Sequence, residues 1–206
     1  MPESTNVWNG IFKNQGKVFT EPHEDMPGIV AALKRIEAKT ILDLGSGSGR
    51  HVIYLAQNGF RIFGLDNSPE GINLTEKWMS SEKVSANIQF QNMEDLLPYG
   101  DAFFDGVISV QVIHHAKIET IRKIIGEITR VLKRKGLLFV TVPTTNHHHK
   151  YKEIETNTII PLDGPEKGLL HHYFTPEELR EEFKDFENIS LHIDSVDHYC
   201  LFAAKR

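Results

Sequence analysis

The chain has 206 residues, 40% of them hydrophobic and 25% charged, with a formal net charge of −5 and one cysteine. That length suits a single domain with one sizeable core, and that composition excludes a disordered or fibrous chain. The acidic balance argues against a nucleic-acid partner held through its phosphates, no apolar run is long enough to span a membrane, and the lone Cys200 excludes an internal disulfide, so a cytoplasmic setting is expected.

Residues 1–21 are polar with scattered aromatics (Trp8, Phe12, Phe19) and predict an arm or lid; residues 22–206 predict the domain proper. Met26, Ile29, Val30, Leu33 and Ile36 recur at helical spacing. Thr40 to Leu44 predicts a strand that breaks into glycines and restarts as a helix, Val52 to Gln57, stopped at Asn58-Gly59. A strand follows at Arg61 to Leu65, a helix from Ser68 to about Lys83 with Pro69 in its first turn, and a strand at Asn87 to Gln91. Phe104 to Val110, Ile118 to Leu132 and Gly136 to Val142 read as strand, helix and strand. This alternation predicts an α/β fold, a doubly wound, Rossmann-like, mostly parallel sheet of seven strands.

Thr144 to Tyr173 reads as a polar, His-rich loop covering a substrate, far longer than most connections. Thr175-Pro176-Glu177-Glu178 opens a last helix with a capping box. Ile189 to Ile193 and Tyr199 to Ala203 then alternate as a C-terminal antiparallel hairpin.

The richest signal is Ile41-Leu42-Asp43-Leu44-Gly45-Ser46-Gly47-Ser48-Gly49, a strand running into a glycine turn that opens a helix. Glycines there let the backbone approach a ligand. Asp66 closes the next strand, where a carboxylate can bind ribose hydroxyls. The dinucleotide fingerprint needs a sixth-position glycine, and Arg50 stands there instead. Asp43 beside the turn would repel a pyrophosphate but attract an ammonium and a sulfonium. The plainer alternative makes Asp43 a turn cap and Asp66 a solvated strand end.

The segment Ile41 to Ala56 resembles motif I of class I S-adenosylmethionine-dependent methyltransferases. Gly64 to Ser68, Asn92 to Leu96 with Phe104-Asp105, and His114-His115 resemble the family's later segments in order. The likeness is greatest to small-molecule enzymes, including the tellurite-resistance type. It implies S-adenosylmethionine as cofactor, S-adenosylhomocysteine as product and a small-molecule acceptor. Gly45, Ser46 and Gly47 would hold the methionine end, supported by Asp43, and Asp66 with Asn67 would take the ribose. Asn92, Met93 and Glu94 would meet the adenine, although Asn92 departs from the family's usual aspartate, and Val110 would be a further cofactor contact.

The chain leaving the fourth strand should pass beside the sulfonium, which makes Gln111 and His114 leading acceptor contacts. His171-His172-Tyr173-Phe174 resembles a segment bordering the acceptor pocket in related enzymes, so His171 joins them. A histidine titrating near neutrality could deprotonate a hydroxyl or thiol acceptor, with His114, His115, His171 and His172 as candidates. The Asn/Asp-Pro-Pro-aromatic motif of nucleobase amine methylation is missing at Ser109 to Val112. His147-His148-His149 raises metal binding, but adjacent histidines on extended chain point apart, and no metal ligand is predicted. The competing functions are a dinucleotide oxidoreductase and a non-catalytic cofactor- or metal-binding module; oligomeric state is left open.

Overall fold

The structure, a computed structural model, describes residues 3–144 and 150–206. Five strands are parallel: β1 (Thr40–Leu44), β2 (Arg61–Asp66), β3 (Asn87–Phe90), β4 (Phe104–Val110) and β5 (Leu132–Pro143). With β9 (Phe186–Ile193) and β10 (His198–Lys205) they form a seven-stranded sheet in the order β3-β2-β1-β4-β5-β10-β9. β10 runs antiparallel to both of its neighbours, as the alternating C-terminal pattern predicts.

Side chains of successive strand residues leave on opposite faces, and this divides the core in two. Leu42, Leu44, Phe63, Leu65 and Val107 pack against α5 (Ile118–Val131) and α6 (Pro176–Glu182). Ile41, Ile62, Ile108 and Val110 face α2 (Met26–Arg35) and α3 (Arg50–Gln57). The same parity assigns Asp43 to the α2/α3 face, where it is only 1% exposed. α4 (Pro69–Glu82) begins as predicted, with the Ser68 hydroxyl accepting the Gly71 N–H and Pro69 at its first position. Thr175 caps α6 by accepting the Glu178 N–H, but the Glu178 carboxylate turns to His172 instead of completing the box.

Three expectations are revised. Residues 3–15 are a helix, α1 (Glu3–Gln15), whose Phe12 is buried; the Asn9 side-chain oxygen accepts from the Ser68 hydroxyl and the Glu70 N–H, fastening α1 to the start of α4. β5 begins at Leu132, paired with Phe104, and bulges before Leu137 pairs with Gly106, so it extends well upstream of Gly136. The expected loop from Thr144 to Tyr173 contains a small antiparallel sheet, β6 (Tyr151–Glu155), β7 (Thr158–Pro161) and β8 (His171–His172). Its hairpin turns at Asn157, which holds a left-handed φ of 60° and is one of the residue types that tolerate that region. The sheet is tied to the large one through the Ile118 N–H, which donates to Glu155, and the His172 N–H, which donates to the His114 carbonyl. His147, His148 and His149 lie outside the described residues.

Candidate functional site

Strand order reverses between β1 and β4, and the crevice at their carboxyl ends is where doubly wound sheets bind ligands. A cavity of about 690 Å³ opens there. One wall is the glycine turn. The Gly45 and Ser46 N–H groups both donate to the Leu65 carbonyl, at 2.8 and 3.0 Å, drawing the turn against the end of β2. Gly45 has φ +79°, and a Cβ on it would lie 2.2 Å from Val112 Cγ2, so only glycine fits against the chain leaving β4. A Cβ on Gly71 of α4 would lie 2.9 Å from the Gly47 carbonyl oxygen, so the helix start also presses on the turn.

Asp66 ends β2 facing this turn. One carboxylate oxygen accepts the Gly47 N–H at 2.7 Å and the other the Ser68 N–H at 2.8 Å. A carboxylate has about four lone-pair positions, so these bonds orient it without exhausting it, and it remains on the cavity wall. Burial raises it from its ordinary value, opposed by those N–H donors. Asp43 is more perturbed: burial pushes it up to about 7, opposed by nearby Arg50 and reinforced by Asp66. Its Oδ2 is buried without a hydrogen-bond partner, as is the Ser46 hydroxyl. Buried polar atoms without partners are uncommon, and these two stand beside a turn built for close approach. A ligand with a cationic head and a dihydroxylated sugar matches this donor and acceptor set.

The remaining sequence candidates divide. Asn67, Met93, Val110, Gln111, His114 and His171 line the cavity with Gly45, Ser46 and Gly47. Asn92 and Glu94 do not: the Asn92 side-chain oxygen turns to the Glu94 N–H at 3.3 Å, Glu94 is exposed, and Gln91 occupies the wall instead. Gln111 has a left-handed φ of 60°, and its amide nitrogen donates to the Thr141 hydroxyl at 3.1 Å.

Past Gln111 the cavity becomes a histidine enclosure. His114 and His115 lie on a turn, not a strand, so their rings do not point apart; their centroids are 3.9 Å from one another and 5.6 and 4.7 Å from that of His171. Burial and the neighbouring rings hold His114 well below 6.5, and burial above all lowers His115 to about 4. Both shifts favour the uncharged ring. His171 sits with Glu166 Oε2 3.0 Å from its Nε2. On β8, alternation sends His172 the other way, to the Thr158 hydroxyl and Glu178 and out of the cavity.

The sequence reading missed several wall residues. α1 contributes Trp8 and Phe12, with Trp8 5.7 Å from Phe12 and 6.1 Å from His115 between ring centroids. His23, Asp194 and His198 form a second polar cluster, both imidazoles 3.0 Å from Asp194 Oδ2, and the His23 N–H donates to His51. His51, directly after the glycine turn, was the available signal for it. Cys200 is buried nearby, its thiol raised to about 12 chiefly by burial.

Residues 42–140 match the family described as a methyltransferase domain. An uncharacterised methyltransferase of Synechocystis is 32% identical over 97 residues, which are 47% of this chain and 43% of that one. The chain thus spans less than half the length of the first curated relatives it matches. A methyltransferase structure from Methanosarcina mazei superposes with a TM-score of 0.68 at 24% identity, covering 82% of this chain and 93% of its own. The 1,6-didemethyltoxoflavin N1-methyltransferase of Burkholderia thailandensis, solved with S-adenosylhomocysteine, gives 0.68 at 19% identity, covering 98% and 89%. These likenesses establish the class I methyltransferase fold. Among the described residues, no helix is long and apolar enough to cross a membrane.

Proposed function

We propose that this chain, which carries a methyltransferase domain over residues 42–140, transfers a methyl group from S-adenosylmethionine to a small-molecule acceptor with an oxygen, sulfur, nitrogen or metalloid nucleophile. One observation carries the reading: the glycine turn and the Asp66 carboxylate share one wall of a single cleft, and the strand that leads into that turn buries a partnerless Asp43 oxygen. When bound, the cofactor supplies an electrophilic methyl group on a sulfonium.

The chain's own groups have definable tasks in that scheme. Asp43, ionised by a cationic neighbour, holds an ammonium; Gly45, Ser46 and Gly47 border the methionine end; Asp66, with Asn67, takes the ribose hydroxyls; Met93 and Gln91 flank the base, and Val110 floors the cleft. Trp8 and Phe12 exclude water from above. Gln111, fixed by Thr141, and His114 and His171 contact the acceptor, so catalysis comes from alignment in a water-poor site more than from a strong base. The walled cleft and the acidic net charge favour a small molecule over nucleic acid, and a cytoplasmic location is part of the proposal.

Titration calorimetry with S-adenosylhomocysteine tests it. Wild-type protein should bind, Asp66→Ala should lose at least about 100-fold in affinity, as expected when charge-assisted hydrogen bonds are removed, and NADH should not bind. A folded wild-type protein that ignores S-adenosylhomocysteine would overturn the assignment.

A further inference from the structure

The histidine enclosure carries more than acceptor contacts. His114, His115 and His171 each offer a ring nitrogen, and these atoms all lie within 4.8 Å of one another. The three side chains are buried, and His114, 3% exposed, keeps Nδ1 without a hydrogen-bond partner. His115 Nδ1 lies 3.0 Å from the Leu170 carbonyl and His171 Nδ1 3.0 Å from the Leu169 carbonyl. A carbonyl only accepts, so those nitrogens carry protons, and the neutral His115 ring then presents its lone pair at Nε2. Fixing a ligand's tautomer through the other ring nitrogen is the usual outer-shell arrangement at metal sites. Glu166 Oε2, 3.0 Å from His171 Nε2, brings a carboxylate to the edge of the cluster.

We propose that His114, His115 and His171 bind a divalent transition-metal ion of the zinc class, with Glu166 at its edge and a coordination position open to the cleft. Three imidazoles with one open position make the donor set of a catalytic zinc site. Tetrahedral zinc with nitrogens at 2.0–2.1 Å spaces them by about 3.3 Å, so the rings need only draw inward. The open position faces the cavity that receives the acceptor, where an oxygen or sulfur lone pair of the acceptor can enter. The inference goes beyond methyl transfer and stands on residues separate from Asp43 and Asp66.

The test uses the full chain without an affinity tag, loaded with zinc, dialysed and assayed by elemental analysis, with cobalt(II) absorption reporting coordination geometry. Wild-type protein should retain one zinc per chain with sub-micromolar affinity. His115→Gln and His171→Ala should each weaken zinc at least 100-fold while circular dichroism and S-adenosylhomocysteine affinity stay at wild-type values. A variant with His147, His148 and His149 all changed to alanine should retain the ion. No zinc retained by folded wild-type protein, zinc retained undiminished by both site variants, or zinc lost with the triple variant or with His23→Ala, would overturn the proposal. Failure of nucleoside binding with zinc retained would instead strike the cofactor reading alone.

Discussion

Asp43→Asn is the most informative substitution, because strand parity has buried a carboxylate where folding opposes its charge. Its position in the free protein, about 7 against an ordinary 3.8, means folding favours the protonated acid. That contribution to stability is fully present below the ordinary value and is lost as pH rises through about 7. Between pH 5.5 and 8.5 the wild-type protein should therefore lose about 2 kcal/mol relative to Asp43→Asn, at roughly 1.4 kcal/mol per tenfold change in protonation. Urea unfolding of both proteins at the two pH values measures it. A stability difference that does not change with pH would refute the reasoning, as would wild type gaining on the variant at high pH. The same carboxylate should be ionised by a cationic ligand, so binding of S-adenosylhomocysteine near pH 6.5 should release a proton, detectable in buffers of different ionisation enthalpy. Asp43→Asn should abolish that release and weaken binding about tenfold to 100-fold.

Other expectations concern the surrounding scaffold. Gly45→Ala should destabilise the protein and reduce nucleoside binding, since its Cβ would lie 2.2 Å from Val112 Cγ2; adding Val112→Ala should recover part of the loss in a double-mutant cycle. Trp8→Ala removes part of the α1 cover and should accelerate nucleoside release in stopped-flow fluorescence with little change in association. Asp105 accepts the Lys39 and Thr40 N–H groups and pairs with Lys133, which hold it down to about 2 despite partial burial. Its stabilisation is present above the ordinary carboxylate range and lost as pH falls through about 2, so Asp105→Asn should lower the melting temperature at pH 7 and lower it much less at pH 2.

The sheet was legible because its central strands β1, β2 and β4 are compact apolar runs, and Asp43 and Asp66 were legible because they stand at or next to strand ends. What escaped depended on long-range packing. The small sheet is assembled from short, polar strands whose main cue is the Asn157 turn, and α1 is recognisable as a wall only once Asn9 is seen against α4. The histidine enclosure joins residues 114–115 to residue 171 through the His172 N–H and the His114 carbonyl, a link no spacing rule contains. Asn92 and Glu94 lie off the cavity wall for a local reason, since the Glu94 N–H donates to the Asn92 side chain in a turn that leaves Gln91 on the wall.

Strand β8 has only two residues, paired at Thr158↔His172 and Ile159↔His171. Two identical side chains thus perform unrelated tasks by parity alone, one inside the enclosure and one bracing the start of α6. Inserting or deleting a single residue just before His171 would slip this register by one and put Leu170 or His172 in the enclosure in place of His171, while leaving composition and hydropathy almost untouched. Homologues that preserve this chemistry should therefore vary the length of the preceding connection freely but keep the count from His171 to the α6 cap constant.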